Sequence, residues 1–495
     1  MTEVLVLHFR CRLIPIAALS TLLRCVIFTQ AANLCRKLFS NTKSDQPNPA
    51  QESSNGDVNL NIITRQEHSI SRAHISDNAL KVLYRLNKHG YDAFLVGGGV
   101  RDLLLDKQPK DFDIATNATP EQIKLLFRNC RLIGRRFRLA HIMFGREIIE
   151  VATFRGHHQE PEKNQSAQSK EGMLLRDNVY GTIQEDAERR DFTINAMYYN
   201  IADFSIHDYA NGVRDLKAGV VRMIGDPETR YREDPVRMIR AIRFAAKLNM
   251  TIEPQTAAPI KQLVHLMSGV PAARLFEESL KLLQSGQGWA TYQLLREYNL
   301  FSTLFPAVAQ HFTPEQNSHT EKMVEIVLKS TDKRINEGKR INPAFMFAAF
   351  LWYPLQYRAN ELADTRKLNQ YDAIMMASND ILDEQVRHLA IPRRHSATIR
   401  DIWQLQLRLT RRTGKRAFHM LELNKFRAGF DMLEMRGKAE GGQSQELAHW
   451  WQEFQDAPLV HRQNMVHALG NEKPAGRRRR RPHAKRKPKK AKAKE

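Results

Sequence analysis

The fold of this chain is decided by Leu95–Thr116, which reads LVGGGVRDLLLDKQPKDFDIAT. The apolar residues from Phe94 to Val96 predict the end of a buried strand, and the residues from Val100 onward predict a helix. Three glycines, Gly97–Gly99, separate the two elements. Glycines between a strand and a helix favour a phosphate site, because free backbone N–H groups there face an anion.

Two aspartates, Asp111 and Asp113, close this stretch in the triplet DFD. Residues two apart on a strand face the same side, so we expect both carboxylates to point into one site. Two carboxylates held that close repel each other unless a cation lies between them. Mg²⁺ suits such a pair, because it binds hard oxygen ligands and keeps substrate phosphates in its shell. A glycine run alone is usually a turn, but the order of these features favours metal-assisted phosphoryl or nucleotidyl transfer.

The pattern GGxVRDxLL followed by DxD resembles the head domain of the class II tRNA nucleotidyltransferase and bacterial poly(A) polymerase family, within the DNA polymerase β-like nucleotidyltransferase superfamily. The resemblance implies an α+β fold, in which a small mixed-sheet head precedes an all-helical neck, body and tail. The predicted boundaries are 1–70 for a leader and polar linker, 71–215 for the head, 216–275 for the neck, 276–460 for the helical body and RNA-binding region, and 461–495 for a disordered basic tail.

Composition indicates a polyanionic partner. Among the 495 residues, 76 Lys and Arg outnumber 54 Asp and Glu, and the formal net charge is +22. Such an excess favours nucleic acid first and an anionic membrane surface second. None of the four cysteines stands in a CxxC pair, which argues against a zinc site or a disulfide scaffold and favours a reducing, cytoplasmic setting.

The two ends of the chain differ in character. An apolar run at 13–23, flanked by arginines, is too short to span a bilayer comfortably. It is interpreted either as a weak membrane-surface anchor or as upstream sequence absent from the mature protein. The segment 477–494 carries 12 Lys and Arg and no large apolar residue, so it is predicted to bind RNA phosphates without folding. The residues expected to contact RNA there are Arg477, Arg478, Arg479, Arg480, Arg481, Lys485, Arg486 and Lys487.

A third carboxylate is expected on a neighbouring strand. Residues 148–155, IIEVATFR, alternate as a strand does and carry Glu150. A lone strand glutamate is usually a surface residue, but beside Asp111 and Asp113 it would complete a metal cage. The preceding segment, 132–145, predicts two strands joined through basic residues. Its Gly-Arg-Arg-Phe and Leu-x-His elements resemble the signature of bacterial poly(A) polymerases rather than that of CCA-adding enzymes.

The segment RRDFTINAM at 189–197 is the second motif that carries the resemblance. Arg190 offers a bidentate contact to phosphate or ribose, and Asp191 and Asn195 can share hydrogen bonds with sugar hydroxyls. The alternative is that Asp191 only caps a helix. The resemblance implies that this motif selects ribose.

The segment REDPVRMIRAIRFAAKL at 232–248 is the third motif. Arginines at helical spacing are usually a solvated face. An Asp–Arg pair can instead read a base edge, and the resemblance implies that Asp234 and Arg237 do so for an amino-bearing base. Arg240 and Arg243 are then expected to hold the triphosphate.

Taken together, these motifs imply template-independent addition of AMP from ATP to RNA 3′ ends. Asp111, Asp113 and Glu150 would hold two Mg²⁺ ions, for which Mn²⁺ is a substitute, and Gly98, Gly99 and Arg101 would lie at the triphosphate. The alternatives are a CCA-adding tRNA nucleotidyltransferase and a non-catalytic RNA-binding protein. We expect a monomer whose partners are RNA 3′ ends and RNA-decay proteins or RNA chaperones.

Overall fold

The structure is a computed structural model that describes residues 60–134, 138–156, 166–168, 174–177, 179–312 and 318–471. Several predictions fall outside these residues. They concern the leader, most of the linker, Arg135 and Arg136 of the basic strand connection, and the basic residues of the tail.

A mixed sheet of eight strands, in the order β1-β10-β9-β2-β3-β6-β5-β4, forms the head, and two further pairs of strands, β11-β12 and β7-β8, lie outside it. The strands are β1 Asn61–Ile63, β2 Ala93–Val96, β3 Asp113–Thr116, β4 Cys130–Ile133, β5 Leu139–Phe144, β6 Glu147–Thr153, β7 Ser166–Gln168, β8 Leu174–Asp177, β9 Met197–Asn200, β10 Ile206–Asp208, β11 Val220–Val221 and β12 Thr251–Ile252.

Helices flank the sheet and make up the described chain from 254 onward. They are α1 Asp77–Lys88, α2 Gly98–Leu104, α3 Pro120–Leu126, α4 Ile183–Glu188, α5 Gly212–Ala218, α6 Pro227–Glu233, α7 Val236–Leu248, α8 Pro254–Ala257, α9 Ile260–Leu263, α10 Ala272–Leu283, α11 Gly288–Glu297, α12 Leu300–Leu304, α13 Pro306–Ala309, α14 His319–Asn336, α15 Pro343–Phe350, α16 Trp352–Arg366, α17 Gln370–His388, α18 Arg393–Leu409, α19 Lys415–Leu421, α20 Phe426–Glu440, α21 Gly442–Asp456 and α22 Leu459–Asn471. Short 3₁₀ helices occur at Arg65–Glu67, Arg72–His74, Thr193–Asn195 and Val264–Gly269.

This architecture confirms the predicted α+β fold, with a mixed-sheet head followed by helices. The strand before the glycines is confirmed as β2, which is buried along its whole length. The helix before it is α1, whose Ser76 side chain accepts a hydrogen bond from the backbone N–H of Ala79. In the described part of the chain, no helix is both long enough and apolar enough to cross a membrane.

The two faces of the head sheet pack differently. Alternate residues such as Leu95, Ile114 and Val151 enter the main hydrophobic core. On the other face, Phe94 and Val96 join a small cluster that also includes Ala115, Phe154, Ala187 and Tyr198. Because successive strand residues alternate between faces, Asp113 lies on the face of this smaller cluster.

Two predicted boundaries in the deciding stretch are wrong. Helix α2 begins at Gly98 rather than at Val100, and Gly97 alone forms the turn, with φ of +72°. Residues with a side chain rarely adopt a positive φ, so a glycine suits this position. Strand β3 begins at Asp113, so Asp111 lies just outside it and is exposed. The argument that placed both aspartates on one strand face therefore applies to Asp113 only.

Two further features lie farther along the chain. The described parts of the segment 157–177 form the antiparallel pair β7-β8. The third motif, at 232–248, spans the end of α6 and the whole of α7. Pro235 causes the break between the two helices, because a proline forces the preceding residue out of helical conformation, and Asp234 has φ of −150° and ψ of 93°.

Candidate active site

The register of the head sheet brings Asp113 and Glu150 together. Strands β3 and β6 are parallel neighbours, and Asp113 lies directly opposite Glu150. Paired residues on adjacent strands point to the same face, so both carboxylates project from the sheet side by side. Burial, together with the nearby charges of Glu150 and Asp111, raises the pKa of Asp113 to about 6. The site thus concentrates negative charge, and Arg190 offsets only part of it.

The oxygen ligands of this site fit a hard divalent cation. Carboxylates are the ligands that Mg²⁺ prefers, and a cation beside Asp113 would offset both the burial of its carboxylate and the nearby charge of Glu150. Within the described ranges, however, no three His, Cys, Asp or Glu side chains lie close enough together to hold a metal as they stand. Asp113 and Glu150 are in place, whereas the three-carboxylate cage with Asp111 stays a prediction.

The glycine turn lies among the polar residues of the second motif. A Cβ placed on Gly97 would come within 3.5 Å of Nη1 of Arg190, and one on Gly98 within 3.4 Å of Nη2 of Arg101. Arg101 is buried, and its guanidinium donates to Oδ1 of Asn195 at 2.6 Å and to Oδ1 of Asp102 at 2.6 and 2.9 Å. The turn therefore joins the first motif to the second through direct contacts.

Arg190 is held by an acid and a phenol. Its Nε donates to Oη of Tyr198 at 2.8 Å, and its Nη2 donates to Oδ2 of Asp186 at 3.0 Å. Oη of Tyr198 donates in turn to the same Asp186 oxygen at 2.7 Å. Burial works against the charged guanidinium, but Tyr198 and Asp186 outweigh it and raise the pKa of Arg190. Arg190 is therefore a fixed cation next to Gly97.

Asp191 links the head to helix α7. Its Oδ1 accepts from the backbone N–H of Phe192 at 2.9 Å and from Nδ2 of Asn195 at 3.0 Å, while its Oδ2 accepts from Nε of Arg240 at 2.7 Å. Burial alone would raise the pKa of Asp191, but Arg240 and Asn195 hold it well below its usual range. The predicted contact with a sugar hydroxyl would have to be added to these bonds, since both carboxylate oxygens already have partners.

Three guanidinium groups surround the ring of Phe244. Those of Arg101, Arg240 and Arg243 lie 5.1, 5.6 and 4.7 Å from its centroid. Nε of Arg243 is buried, and no residue of the described chain accepts its hydrogen bond. Burial and the charge of Arg240 lower the pKa of Arg243 to about 10. The positive charge of this cluster is not fully balanced by acidic partners, as an anion site requires.

The predicted base-reading residues are close in sequence but have different partners. Both carboxylate oxygens of Asp234 accept from Arg274, at 2.8 and 2.7 Å. Arg237 donates instead to Oε2 of Glu233 at 2.8 Å and to the backbone carbonyl of Arg230 at 2.7 Å. Their role in reading a base stays a prediction, and Arg274 and Glu233 position them.

Sequence reasoning did not assign roles to several of these partners. Asp186 stands four residues before Arg190, a spacing that favours a helical ion pair, so this contact had a local signal. No local sequence signal indicated the contacts of Arg274, Tyr198 and Phe244, because the tertiary fold brings each of them to its partner. His141 was noted only as part of a family signature, yet its Nε2 lies 3.1 Å from Oε1 of Glu150.

Known protein families match this chain in three places. "Poly A polymerase head domain" matches residues 93–222, "Probable RNA and SrmB-binding site of polymerase A" matches residues 249–312, and "Polymerase A arginine-rich C-terminus" matches residues 366–487. The first match contains the glycine turn and the paired carboxylates, and the last ends at residue 487, within the basic segment 477–494.

Individual relatives cover nearly the whole chain. Poly(A) polymerase I of Salmonella typhimurium is 57% identical over 457 residues, which cover 92% of this chain and 97% of that protein. The same enzyme of Escherichia coli O6:H1 is 56% identical over 459 residues, with coverages of 92% and 98%. A CCA-adding enzyme of Lactobacillus helveticus is 32% identical over 279 residues, which cover 53% of this chain and 66% of that protein.

A solved structure shows the same fold at low sequence identity. The Thermotoga maritima CCA-adding enzyme complexed with tRNA_CCA has a TM-score of 0.52 and 21% identity, and the match covers 77% of this chain and 83% of that one. The fold and the paired carboxylates define a nucleotidyltransferase of the class II tRNA nucleotidyltransferase and poly(A) polymerase type. Within that class, the chain belongs to the poly(A) polymerase I family.

The Asp191–Arg240 pair predicts a pH-dependent stability. Because the folded pKa of Asp191 is lowered, the pair adds stability above its unfolded pKa of about 4 and loses it as pH falls toward the folded value. Asp191→Asn should therefore lower the melting temperature at pH 7, and the difference should shrink below about pH 4. Thermal denaturation of both proteins across this range measures the effect.

Glu228→Gln is the matched control, because Glu228 forms an exposed pair with Arg232. Exposed ion pairs contribute little to the free energy of unfolding, so this variant should have a melting temperature close to that of the parent protein at every pH. A melting difference for Asp191→Asn that stayed constant down to pH 3 would contradict the assignment of the lowered pKa.

Proposed function

We propose that this chain adds AMP from ATP to RNA 3′ ends without a template, through the site formed by Asp113, Glu150 and the arginines around Phe244. The observation that carries the proposal is the pairing of Asp113 with Glu150 on adjacent strands, in a head that belongs to the poly(A) polymerase I family. Paired acids serve a cation and a phosphate reaction, whereas RNA binding alone does not need them. The non-catalytic alternative is therefore disfavoured.

Each residue set has one task in this proposal. Asp113, Glu150 and Asp111 would hold two Mg²⁺, or Mn²⁺ in their place, and the bound ions would supply neutralisation of the charge that develops on the α-phosphate. Arg101, Arg240 and Arg243 neutralise the triphosphate, and the unsatisfied Nε of Arg243 supports this placement. The RNA 3′-hydroxyl attacks the α-phosphorus of ATP in line, a P–O bond forms, and pyrophosphate leaves.

In this proposal, residues of the neck select the base. Asp234 and Arg237 would face the adenine edge, and Arg274 and Glu233 fix their orientation. The ribose would lie toward Arg190, Asp191 and Asn195. The CCA-adding alternative has weaker support, because the relative of that kind in Lactobacillus helveticus matches only 53% of this chain.

RNA is the partner that the match to a polymerase A RNA-binding segment supports. We further propose that the protein acts as a cytoplasmic monomer alongside RNA-decay proteins or RNA chaperones. Weak membrane association through the leader would use the apolar run at 13–23.

The choice of product is tested by extending an RNA primer with each of the four nucleoside triphosphates separately. We expect a long A tract with ATP, as in the poly(A) polymerase I family, and little extension with GTP or UTP, because an Asp–Arg pair suits an amino-bearing base. The reaction with CTP, whose base also carries an amine, separates the two candidate activities. Sequencing of the product from an equimolar mixture completes the assay. A terminal CCA would refute the proposal in favour of the alternative.

Removal of either aspartate should abolish the reaction. Asp111→Ala and Asp113→Ala are each expected to lose AMP incorporation while RNA affinity stays nearly unchanged, because neither side chain is needed for phosphate contacts. Release of pyrophosphate and RNA binding are measured on the same preparations. Asp106→Asn is the control, since Asp106 follows helix α2, is not one of the three candidate carboxylates, and has a positive φ of 53° that asparagine tolerates. Polymerisation by either aspartate variant would overturn the site assignment.

The basic segment should contribute sequence-independent RNA affinity. Deletion of 477–495 removes 12 Lys and Arg, so RNA should bind more weakly and with a flatter dependence on salt concentration. Affinity measured at several salt concentrations, for the full chain and the deletion, gives both slopes. An unchanged slope would refute the role proposed for Arg477 to Lys487.

A further inference from the structure

One transverse row of side chains extends from the catalytic carboxylates to the edge of the head sheet. Backbone register pairs Asp113 with Glu150, Glu150 with His141, and His141 with Arg131. On the other side of Asp113 the row continues through Val96. Cross-strand partners point to the same face, so these side chains form one line perpendicular to the strands.

The row is covered on one side of Asp113 and open on the other. Val96 is 2% exposed, whereas the side chain of Glu150 is 47% exposed and that of His141 is 20% exposed. At the edge, Arg131 is exposed as well. Two aliphatic side chains of the same face, Ile133 and Ile148, are 40% and 45% exposed. We call the face formed by Arg131, Ile133, His141 and Ile148 the open strip.

The chemistry of the open strip suits single-stranded RNA. Among the described residues, no carboxylate pairs with Arg131, which leaves its charge available to a phosphate. Nε2 of His141 is close to Glu150 but is not aligned with any hydrogen-bond partner in the described chain. Ile133 and Ile148 offer an apolar surface on which a base can rest.

The dimensions of the open strip also suit RNA. Neighbouring strands lie about 4.8 Å apart, so Arg131 stands roughly 15 Å from Asp113, three strands away. At about 3.4 Å per stacked residue, this distance corresponds to roughly four nucleotides. The arginines proposed for the triphosphate, around Phe244, belong to helices α2 and α7 and not to this strip. Two substrates therefore have two separate places beside the same carboxylates.

We propose that the open strip holds the last few nucleotides of the RNA primer and leads its 3′-hydroxyl to Asp113 and Glu150. The inference rests on the proposed function, because it takes the carboxylate pair as the reaction centre. Arg131 contacts a backbone phosphate, and Ile133 and Ile148 support bases. His141, whose Nε2 is buried beside Glu150, positions that carboxylate next to the reacting hydroxyl. The occupant is RNA rather than a protein segment, because the strip is continuous with the reaction centre.

Steady-state kinetics with a short single-stranded RNA test the strip. Arg131→Ala should raise the KM for RNA about five- to tenfold, since one charged hydrogen bond is lost, and should leave the KM for ATP unchanged. The slope of RNA affinity against salt concentration should fall by about one. Ile133→Ala should raise the KM for RNA about threefold, through the loss of apolar contact.

Matched controls come from the same part of the head. Arg146 is exposed in the turn between β5 and β6, away from the row, so Arg146→Ala should change neither KM. Leu125 is 85% exposed on helix α3, which packs on the core face of the sheet, so Leu125→Ala is the control for Ile133→Ala. A rise in the KM for ATP instead of RNA would assign the strip to the nucleotide and overturn the proposal.

Photocrosslinking locates the primer independently of kinetics. RNA with a 4-thiouridine at its 3′ end should form adducts, after irradiation, in peptides that contain residues 130–148. Adducts confined to the neck or body would overturn the proposal.

Asp113→Asn separates the two claims: it should crosslink normally and incorporate no AMP. If it polymerises, the proposed site fails. If it is inactive while Arg131→Ala keeps the parent KM for RNA, only the strip is refuted.

Discussion

The structure depends on the register between β3 and β6. Among the described strands of the head sheet these two are the parallel pair, and their alignment places Asp113 opposite Glu150. A slip of one residue would turn a carboxylate to the opposite face. Ile114 and Val151 oppose it, because they are 0% and 1% exposed in the main core and a slip would remove one of them from that core. Hydrophobic packing on one face of the sheet thus fixes the positions of the carboxylates on the other face.

The buried charges around this register are balanced almost everywhere. Asp186 balances Arg190, Asp191 balances Arg240, and Asp234 is balanced by Arg274. A buried charge without a partner is costly, so each of these contacts also fixes the orientation of a side chain near the site.

Two groups of opposite charge at the proposed site are disfavoured in their charged forms. Burial and the charges of Glu150 and Asp111 raise the pKa of Asp113 to about 6, and burial and the charge of Arg240 lower the pKa of Arg243 to about 10. A nucleotide triphosphate bound with a divalent cation brings positive charge to the first group and negative charge to the second. In the proposed function, the bound substrate would therefore compensate both groups.

Much of this arrangement could be predicted from the sequence, and the limits have physical reasons. Strands β2 and β6 follow from the patterns of their apolar residues, which are local signals. The start of α2 was missed because glycines have low helix propensity, yet here the tertiary fold includes Gly98 and Gly99 in the first turn. The position of Asp111 was missed because no pattern in the triplet shows where β3 begins.

Contacts between distant segments were beyond sequence reasoning. The pairing of Asp234 with Arg274 joins residues 40 apart, and the bond between Arg101 and Asn195 joins residues 94 apart. Nothing in either local sequence indicates the other partner. By contrast, the order of the three motifs was sufficient for the family, because each motif supplies one chemical element of the same site.

The strand order of the head has a consequence for biosynthesis. Strand β2 lies between β3 and β9, but β9 begins at Met197, about a hundred residues after the end of β2. At about 5–20 residues per second, the ribosome takes roughly 5–20 s to supply that partner. Throughout this interval one edge of a fully buried strand has no neighbour, and an unpaired apolar edge is a site of aggregation. The nascent head is therefore most vulnerable between synthesis of its reaction centre and synthesis of the strand that closes it.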